Sequence, residues 1–347
     1  MNGQLIDPQD SQWSQLLARV PHDFYHLPEY LAFSARYEGG RAAAFYAEDG
    51  DVALLIPLLI RPIPAELGAE DGWCDAASPY GFPSPILSPA TDTDGLKRLL
   101  GLFKQVCADH GVISAFLRLH PLLPLPAMSL AEQGTLIRHG RTIAIDLMLS
   151  PEELWLQTSR NHRQNIRQLK RKGFVAEMDR WDLYSEFFPI YWQTMERCAA
   201  DRFYFFSDSY LQELRGTLGE RVHLCTVLSQ RGEVAAAGLF TSVTGIVQAH
   251  LAGTANKYLC HAPSKLMFDH ARRWAKDTGH HILHLGGGVG GCEDSLFRFK
   301  AGFSNLKNDF YTYRMILDDE KYRVLEERSR NTDPTADFFP IYRNPDH

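Results

Sequence analysis

The chain has 347 residues, of which 45% are hydrophobic and 12% aromatic, and this composition excludes a disordered or fibrous protein. Its length predicts two domains rather than one. The net charge of -6 argues against a protein that is basic throughout and covers nucleic acid with its whole surface.

The charge is divided unevenly along the chain. Residues 1–150 contain 10 Lys and Arg against 17 Asp and Glu, whereas residues 151–317 contain 21 against 17. The central part of the chain therefore carries four more bases than acids (21 − 17 = 4). We expect any polyanionic partner to dock on this central part.

In the first half, two apolar runs predict strands, Val52–Ile60 and the Pro/Gly-rich segment 79–89. A helix is predicted to follow, because apolar residues recur at helical spacing before the chain reaches Gly111. Those apolar residues are Leu96, Leu99, Leu100, Phe103 and Val106. A further strand is predicted over 112–119.

The second half repeats this order of predicted elements. Alternating runs over 224–228 and 234–243 predict a hairpin, and a strand is predicted over 246–251. A helix with one apolar face is predicted from Pro263-Ser264 to Thr278-Gly279, with a strand over 281–285 after it. Since both halves read strand, strand, Pro, helix, Gly, strand, we predict two copies of one α/β unit.

The predicted domains are residues 1–148, residues 149–317, which would be catalytic, and a C-terminal helix and tail over 318–347. The helix is placed over 320–330. The N-terminus lacks a secretory signal, and the longest apolar run is too short to span a bilayer. The six cysteines are far apart and match no metal spacing, so we expect reduced thiols, no metal site and a cytoplasmic protein.

A basic segment opens the second half. On a helix, Arg160, Arg163, Arg167 and Lys170 or Arg171 would share one face, and arginines bind phosphates well. The alternative is a solvated helix face, with Ile166 and Leu169 on the buried side. The first interpretation makes this helix a phosphate-binding surface.

A glycine-rich segment, 284–304, forms the second candidate site. Gly286, Gly288 and Gly291 match the dinucleotide fingerprint formally, but too few residues follow for the fold that this fingerprint requires. What remains is backbone at Gly287 and Gly288 that a ligand can approach closely, followed by a helix start. Asp294, Arg298 and Lys300 lie on or beside that helix. The alternative is a β-bulge and a tight turn.

Several segments together resemble the FemAB family, whose members are aminoacyltransferase-like proteins built of two GNAT-like (N-acetyltransferase-type) domains. The resemblance covers most of the chain and is strongest over 150–305. It is carried by segments 159–174, 201–214 and 285–303 and by the Pro263-Ser264-Lys265 helix start. It implies a mixed α/β fold of two tandem GNAT domains. It also implies transfer of an aminoacyl group from aminoacyl-tRNA to an amine of a peptidoglycan precursor, or of an acyl group from acyl-CoA in related enzymes.

The resemblance also implies roles for single residues. Phe299-Lys300 matches the family's Phe-Lys pair, whose lysine stabilises charge during acyl transfer. Arg202 with Phe206 matches an Arg-x-x-x-aromatic segment that contacts precursor phosphates. The family's phosphate-contacting lysine near the N-terminus has no clean match, Ser34 and Arg36 being nearest, and the helical-hairpin arm of some members is absent.

A CoA donor would bind at the helix start that holds Ser264 and Lys265. GNAT enzymes use a glycine-rich pyrophosphate loop at that position, and residues 257–265 contain no glycine. The sequence therefore favours a larger phosphorylated donor over CoA.

Three functions remain open. The first is an N-acyltransferase that uses aminoacyl-tRNA, with Lys300 stabilising the oxyanion, Asp294 as candidate base, and the basic helix and Arg202 holding phosphates. The second is an acyl-CoA-dependent N-acetyltransferase acting on an amino sugar or amino acid, and the third is a non-catalytic module that binds phosphoglycan or RNA. We expect no tightly bound cofactor, an amine acceptor such as a cell-wall or glycan precursor, and a monomer or dimer.

Overall fold

A computed structural model describes residues 2–329 and 338–344. The chain forms two compact units: residues 1–139 with 310–347, and residues 140–309. These bounds lie earlier in the chain than the predicted 148/149 and 317/318, and they fall inside two strands defined below, 139/140 in β7 and 309/310 in β13. None of the helices in the described residues is both long and apolar enough to cross a membrane.

Both strands and helices occur in each half of the chain. The strands are β1 (Asn2–Ile6), β2 (Arg41–Asp49), β3 (Val52–Pro62), β4 (Cys74–Ala77), β5 (Ile86–Leu87), β6 (Val112–Arg118), β7 (Thr135–Asp146), β8 (Val175–Met178), β9 (Val222–Leu228), β10 (Val234–Val243), β11 (Ile246–Thr254), β12 (Ile282–Gly286) and β13 (Leu306–Ile316). The helices are α1 (Ser11–Leu17), α2 (Pro28–Glu38), α3 (Thr93–Asp109), α4 (Ala127–Ala131), α5 (Pro151–Gln157), α6 (Arg160–Arg171), α7 (Tyr184–Arg197), α8 (Asp208–Leu218), α9 (Ser264–Asp277), α10 (Ser295–Ala301) and α11 (Asp319–Arg328).

The first unit is built on a sheet in the order β1-β2-β3-β4-β6-β13, in which β4 and β6 run parallel. The predicted helix is confirmed as α3, whose apolar stripe is buried against the sheet. Asp92 caps it by accepting the backbone N–H of Gly95 at 2.7 Å. Gly111 follows with a φ of 74°, which a glycine adopts without strain.

The strand predicted over 79–89 is wrong for most of its length. Only Ile86–Leu87 is extended into the sheet, where it pairs with β3, while the preceding strand β4 lies at Cys74–Ala77. Three prolines, at 79, 83 and 85, explain the difference, since proline has no backbone N–H to donate to a sheet.

The second unit has a sheet in the order β8-β9-β10-β11-β12-β7. The predicted hairpin is confirmed as β9 and β10, and the predicted strand, helix and strand after it are β11, α9 and β12. The core lies between this sheet and the inner faces of α6 and α9. Its members include Ile166, Leu169, Leu266, Met267 and Leu283.

The C-terminal region packs on the first unit. The helix predicted over 320–330 is α11, Asp319–Arg328, and Arg330 falls outside the described residues. Tyr342 is buried and shares a hydrogen bond of 2.8 Å with Ser114. Arg343 forms an ion pair with Asp75, a fully buried carboxylate that Arg61 also contacts at 2.8 Å. Of the predicted tail, residues 330–337 and 345–347 lie outside the described part of the chain.

Candidate active site

Two parallel strands of the second unit diverge next to the glycine-rich segment. β11 and β12 pair over three positions, from Ile246 with Ile282 to Gln248 with His284. Within the residues that the structure describes, no later pair joins them. His250 lies two residues after Gln248 and is an extra residue in β11, because Leu251 pairs with Leu239 while Ala249 pairs with Phe240. Such a bulge bends its strand and supports the divergence.

Two histidines, His250 on β11 and His284 on β12, lie in this region. Buried His284 donates Nδ1–H to the side-chain oxygen of Gln248 at 2.8 Å. Burial lowers the pKa of His250 to about 4. His250 is therefore neutral at pH 7.

In the first unit, the corresponding parallel strands, β4 and β6, stay joined by hydrogen bonds beyond the end of β4. Beyond β4, the backbone N–H of Ser78 donates to the carbonyl of Phe116 at 2.8 Å, and that of Arg118 donates to the Ser78 hydroxyl at 3.0 Å. The Arg118 guanidinium also donates to the carbonyls of Ser78 and Pro79. The diverging pair is therefore a feature of the second unit.

Tight backbone packing in and around the glycine-rich segment leaves no space for a Cβ atom at two glycine positions. A Cβ on Gly288 would lie 2.0 Å from the Cys292 carbonyl oxygen and 2.4 Å from an Asp294 carboxylate oxygen. A Cβ on Gly140, in β7, would lie 1.9 Å from the carbonyl oxygen of Gly291. The loop is thus folded tightly on itself and against β7, as its glycine content allows.

Lys300, on α10, reaches back to this loop. Its Nζ donates to the carbonyl oxygen of Gly287 at 2.6 Å, one residue beyond β12. Burial lowers its pKa to about 8, although the nearby Asp294 carboxylate opposes this shift. Lys300 is therefore a held, partly desolvated ammonium group at neutral pH.

Asp294 is committed to backbone hydrogen bonds. One carboxylate oxygen accepts the N–H of Phe297 at 2.8 Å, which caps α10, and the other accepts the N–H of Val289 at 3.1 Å. Burial would raise its pKa, but these backbone donors outweigh burial, and the pKa lies below its usual value. These contacts make Asp294 a weak base and an anchor for the loop.

A histidine that the sequence analysis missed joins α6 to α10. His162 donates Nε2–H to the carbonyl oxygen of Phe299 at 2.9 Å, and its ring lies 4.7 Å from that of Phe303. Burial lowers its pKa to about 4, so it stays neutral. Phe299 itself packs on Phe268, while Arg298 is exposed and donates to the Glu293 carbonyl. No motif marked His162, because its role depends on a contact 137 positions away.

The basic helix is α6, with Ile166 and Leu169 buried as expected. Arg160 is exposed and Arg163 half-buried, and neither forms an ion pair with a residue in the described ranges. Arg167 lies over the Trp155 ring at 5.3 Å, and Lys170 is 3.5 Å from the buried Asp269. The outer face of α6 therefore keeps cations available for a ligand.

The start of α9 offers less to a pyrophosphate. The N–H groups of Lys265 and Leu266 donate to the carbonyls of Ala262 and Pro263, at 3.1 and 2.9 Å. The Lys265 side chain is half-buried, which lowers its pKa, and Ser264 is the first residue of the helix. Two of the N–H groups that could bind an anion at this helix start are thus already hydrogen-bonded within the chain.

The remaining predicted residues lie apart from α10 in the chain. Arg202 is exposed in a short 3-10 helix between α7 and α8, and Phe206 is buried and stacked on Tyr210 at 4.2 Å. In the first unit, Ser34 is buried on α2, and Arg36 lies over the Phe33 ring. The structure thus gathers Gly287, Gly288, Asp294, Phe299 and Lys300 around one loop and helix, with the cations of α6 joined to them through His162.

Comparisons with known proteins agree with this architecture. Residues 157–300 match the family model described as an acetyltransferase (GNAT) domain. Over the whole chain, FemX is similar with a TM-score of 0.74 and 14% identity, covering 94% of this chain and 100% of FemX. L-PGS from Bacillus licheniformis is similar with a TM-score of 0.56 and 14% identity, covering 93% and 97% of the two chains.

A conserved protein of unknown function from Bacteroides thetaiotaomicron VPI-5482 is similar with a TM-score of 0.55 and 10% identity, covering 88% of this chain and 97% of that chain. No curated protein matches the sequence. The predicted fold class and the resemblance to the FemAB family are confirmed as a likeness of fold.

Proposed function

We propose that this chain is an N-acyltransferase of the FemAB and GNAT type, which transfers an aminoacyl group from aminoacyl-tRNA to an amine acceptor. One observation carries the proposal. The ammonium group of Lys300 is held at the carbonyl of Gly287, beside the point where β11 and β12 diverge. A fixed, partly desolvated positive charge next to two diverging strands suits a reaction in which negative charge develops on a carbonyl oxygen.

The chemistry requires little beyond positioning. The nitrogen of the acceptor amine attacks the ester carbonyl carbon, and a tetrahedral oxyanion forms beside Lys300. The bond to the ribose oxygen then breaks, and the proton lost by the amine ends on that leaving oxygen. Because ester to amide transfer is downhill, orientation of the reactants and stabilisation of the oxyanion supply most of the rate enhancement.

We assign Asp294 to the support of this site rather than to proton transfer. Both of its oxygens already accept backbone N–H groups, and its lowered pKa makes it a poor acceptor of the amine proton. Its negative charge also favours the protonated form of Lys300. The leaving ribose oxygen is the stronger base as the ester bond breaks.

The donor is assigned from the two helices around the site. Arg160 and Arg163 on α6 are available for the phosphates of a nucleic acid, and His162 between them ties α6 to α10. The start of α9, by contrast, lacks glycine and has two of its N–H groups already engaged. These features favour tRNA over CoA.

The match of residues 157–300 to a GNAT acetyltransferase domain favours a second candidate, an acyl-CoA-dependent enzyme. For either donor, we assign the acceptor to the class of amines, with a cell-wall or glycan precursor as the candidate. Arg202 is the proposed contact to phosphates of such a precursor.

A donor panel tests the proposal. The purified chain is incubated with tRNA charged with a mixture of amino acids, or with a panel of acyl-CoAs, and amine acceptors, and amide products are detected by mass spectrometry. We expect product with aminoacyl-tRNA and a loss of at least about 100-fold in Lys300→Met. Lys276→Met is the matched control, since Lys276 also donates to a backbone carbonyl, that of Leu147 at 2.8 Å.

Each other result contradicts the proposal in a different way. Product with acyl-CoA alone would reverse the order of the two donors. Salt-sensitive tRNA binding without turnover would favour a binding module, and equal rates for Lys300→Met and the wild-type chain would remove Lys300 from the mechanism.

A further inference from the structure

A second cluster of reactive side chains lies in the second unit, at the opposite end of the sheet from Lys300. His223, near the start of β9, shares a hydrogen bond of 3.0 Å between its Nε2 and the Ser242 hydroxyl, near the end of β10. On its other side, His223 Nδ1 is 3.1 Å from a carboxylate oxygen of Asp179, which follows β8. Three neighbouring strands thus bring a hydroxyl, an imidazole and a carboxylate into one row.

The hydrogen bonds fix the direction of proton transfer. An ionised carboxylate can only accept, so Asp179 receives the Nδ1–H of neutral His223. Nε2 then carries the lone pair and accepts the hydroxyl proton of Ser242. This is the arrangement in which a histidine serves as general base for a serine nucleophile while a carboxylate holds its tautomer.

The backbone holds Asp179 in place. Its N–H donates to the Leu224 carbonyl at 2.7 Å, and its carboxylate also accepts the Leu224 N–H at 3.3 Å. Its φ of 60° is in the left-handed region, which Asp and Asn tolerate better than most residues. The carboxylate is thereby aimed at the imidazole from a fixed turn.

The surroundings leave the serine reachable. Ser242 and His223 are half-buried, and the ring of Trp274 on α9 covers His223 at a centroid distance of 4.4 Å. The ring of His280 also stacks on that of Trp274, with a distance of 5.6 Å between ring centroids. An aromatic ring thus packs against His223, while Ser242 is only half-buried.

We propose that Ser242, His223 and Asp179 form a second catalytic site, a serine nucleophile that is acylated by carboxylic esters and released by water. Ser242 Oγ attacks the ester carbonyl as its proton passes to His223 Nε2. The bond to the leaving alcohol breaks, and the alcohol takes that proton. Water then attacks the carbonyl carbon of the acyl serine and gives a proton to His223. The bond to Ser242 Oγ breaks, Oγ takes that proton back from His223, and the carboxylic acid leaves.

A covalent probe tests this site without reference to any aminoacyl donor. The intact chain is treated with a fluorophosphonate, which exchanges fluoride for an activated serine oxygen, and labelled peptides are mapped by mass spectrometry. The release of p-nitrophenol from p-nitrophenyl acetate is measured in parallel. We expect labelling at Ser242 and an initial burst of p-nitrophenol, both abolished in Ser242→Ala.

Two further variants separate catalysis from structure. Asp179→Asn suits the same backbone angle, but its amide donates to Nδ1 and leaves the proton on Nε2, so labelling should slow roughly 10²- to 10⁴-fold with an unchanged melting temperature. His223→Gln should give a similar loss.

The control is Ser209→Ala. Ser209 is also a hydrogen-bonded serine, 2.8 Å from the Ser207 hydroxyl, but it lies outside the triad, so its loss should not change labelling. Absence of label at Ser242, or labelling that is insensitive to Asp179→Asn and His223→Gln, would overturn the proposal.

Discussion

The ammonium Nζ of Lys300 lies 2.6 Å from the carbonyl oxygen of Gly287, and burial lowers its pKa to about 8. This lysine is therefore protonated at pH 7 but loses its charge within the range in which enzymes are assayed. If the charge on Lys300 stabilises the oxyanion, the rate of transfer should therefore change with pH as Lys300 loses its proton.

We expect transfer to fall as pH rises through about 8, because the stabilising charge is present below that pKa and lost above it. An ascending limb at lower pH should report the neutral acceptor amine. In Lys300→Arg the side chain stays charged, so the descending limb should disappear from whatever activity remains. A profile of rate against pH for both chains measures this, and an unchanged limb near pH 8 in the variant would exclude Lys300 as its source.

Asp294 can be tested with two substitutions that differ in one property. Asn is as good a helix cap as Asp but cannot act as a base. We expect Asp294→Asn to retain transfer within about tenfold, since it keeps the helix cap and loses one backbone hydrogen bond and the negative charge that favours protonated Lys300. Asp294→Ala should lose much more, together with about 1 kcal/mol of unfolding free energy. If Asp294→Asn instead lowers kcat by 10²-fold or more, about the share of a general base, Asp294 is the base after all.

Arg160 and Arg163 should contribute to tRNA affinity through phosphates. The double change to Gln should weaken binding and reduce the slope of log affinity against log salt by about 1 to 2. Arg231→Gln provides the control, because Arg231 is also exposed but lies in the turn between β9 and β10. Binding titrations at four salt concentrations give the slopes. Equal slopes for the double variant and the control would place the nucleic acid elsewhere.

The C-terminal segment should stabilise the first unit through a buried charge. Arg343→Ala leaves the Asp75 carboxylate with Arg61 as its ion-pair partner and should cost about 2 kcal/mol in the free energy of unfolding. Tyr342→Phe removes only the hydrogen bond to Ser114 and should cost about 1 kcal/mol. Denaturation in urea measures both. A larger loss for Tyr342→Phe than for Arg343→Ala would show that Asp75 does not depend on Arg343.

Elements defined by local rules could be read from the sequence. The helix α3 follows from its apolar spacing and its terminal glycine, and the hairpin of β9 and β10 follows from alternation around a turn. The basic face of α6 and the glycine-rich loop were visible for the same reason. Each of these signals lies within one short, continuous stretch of sequence.

Features made by distant residues could not be read in this way. The bulge at His250 is a matter of register between strands, and the row from Asp179 to Ser242 spans three of them. Asp294 looked like a base because sequence shows the carboxylate but not the two N–H groups it accepts. The Arg118 hydrogen bonds that fasten β4 to β6 have the same origin in distant contacts.

The composition of the first unit from two separate pieces of chain also orders events during synthesis. Strand β6 pairs with β13, for example Arg118 with Thr312, so its edge stays open until β13 has left the ribosome. The second unit is one uninterrupted stretch, residues 140–309, and is complete before that partner strand has been made. Synthesis of the first unit therefore starts before that of the second unit but is completed after it, when β13 pairs with β6.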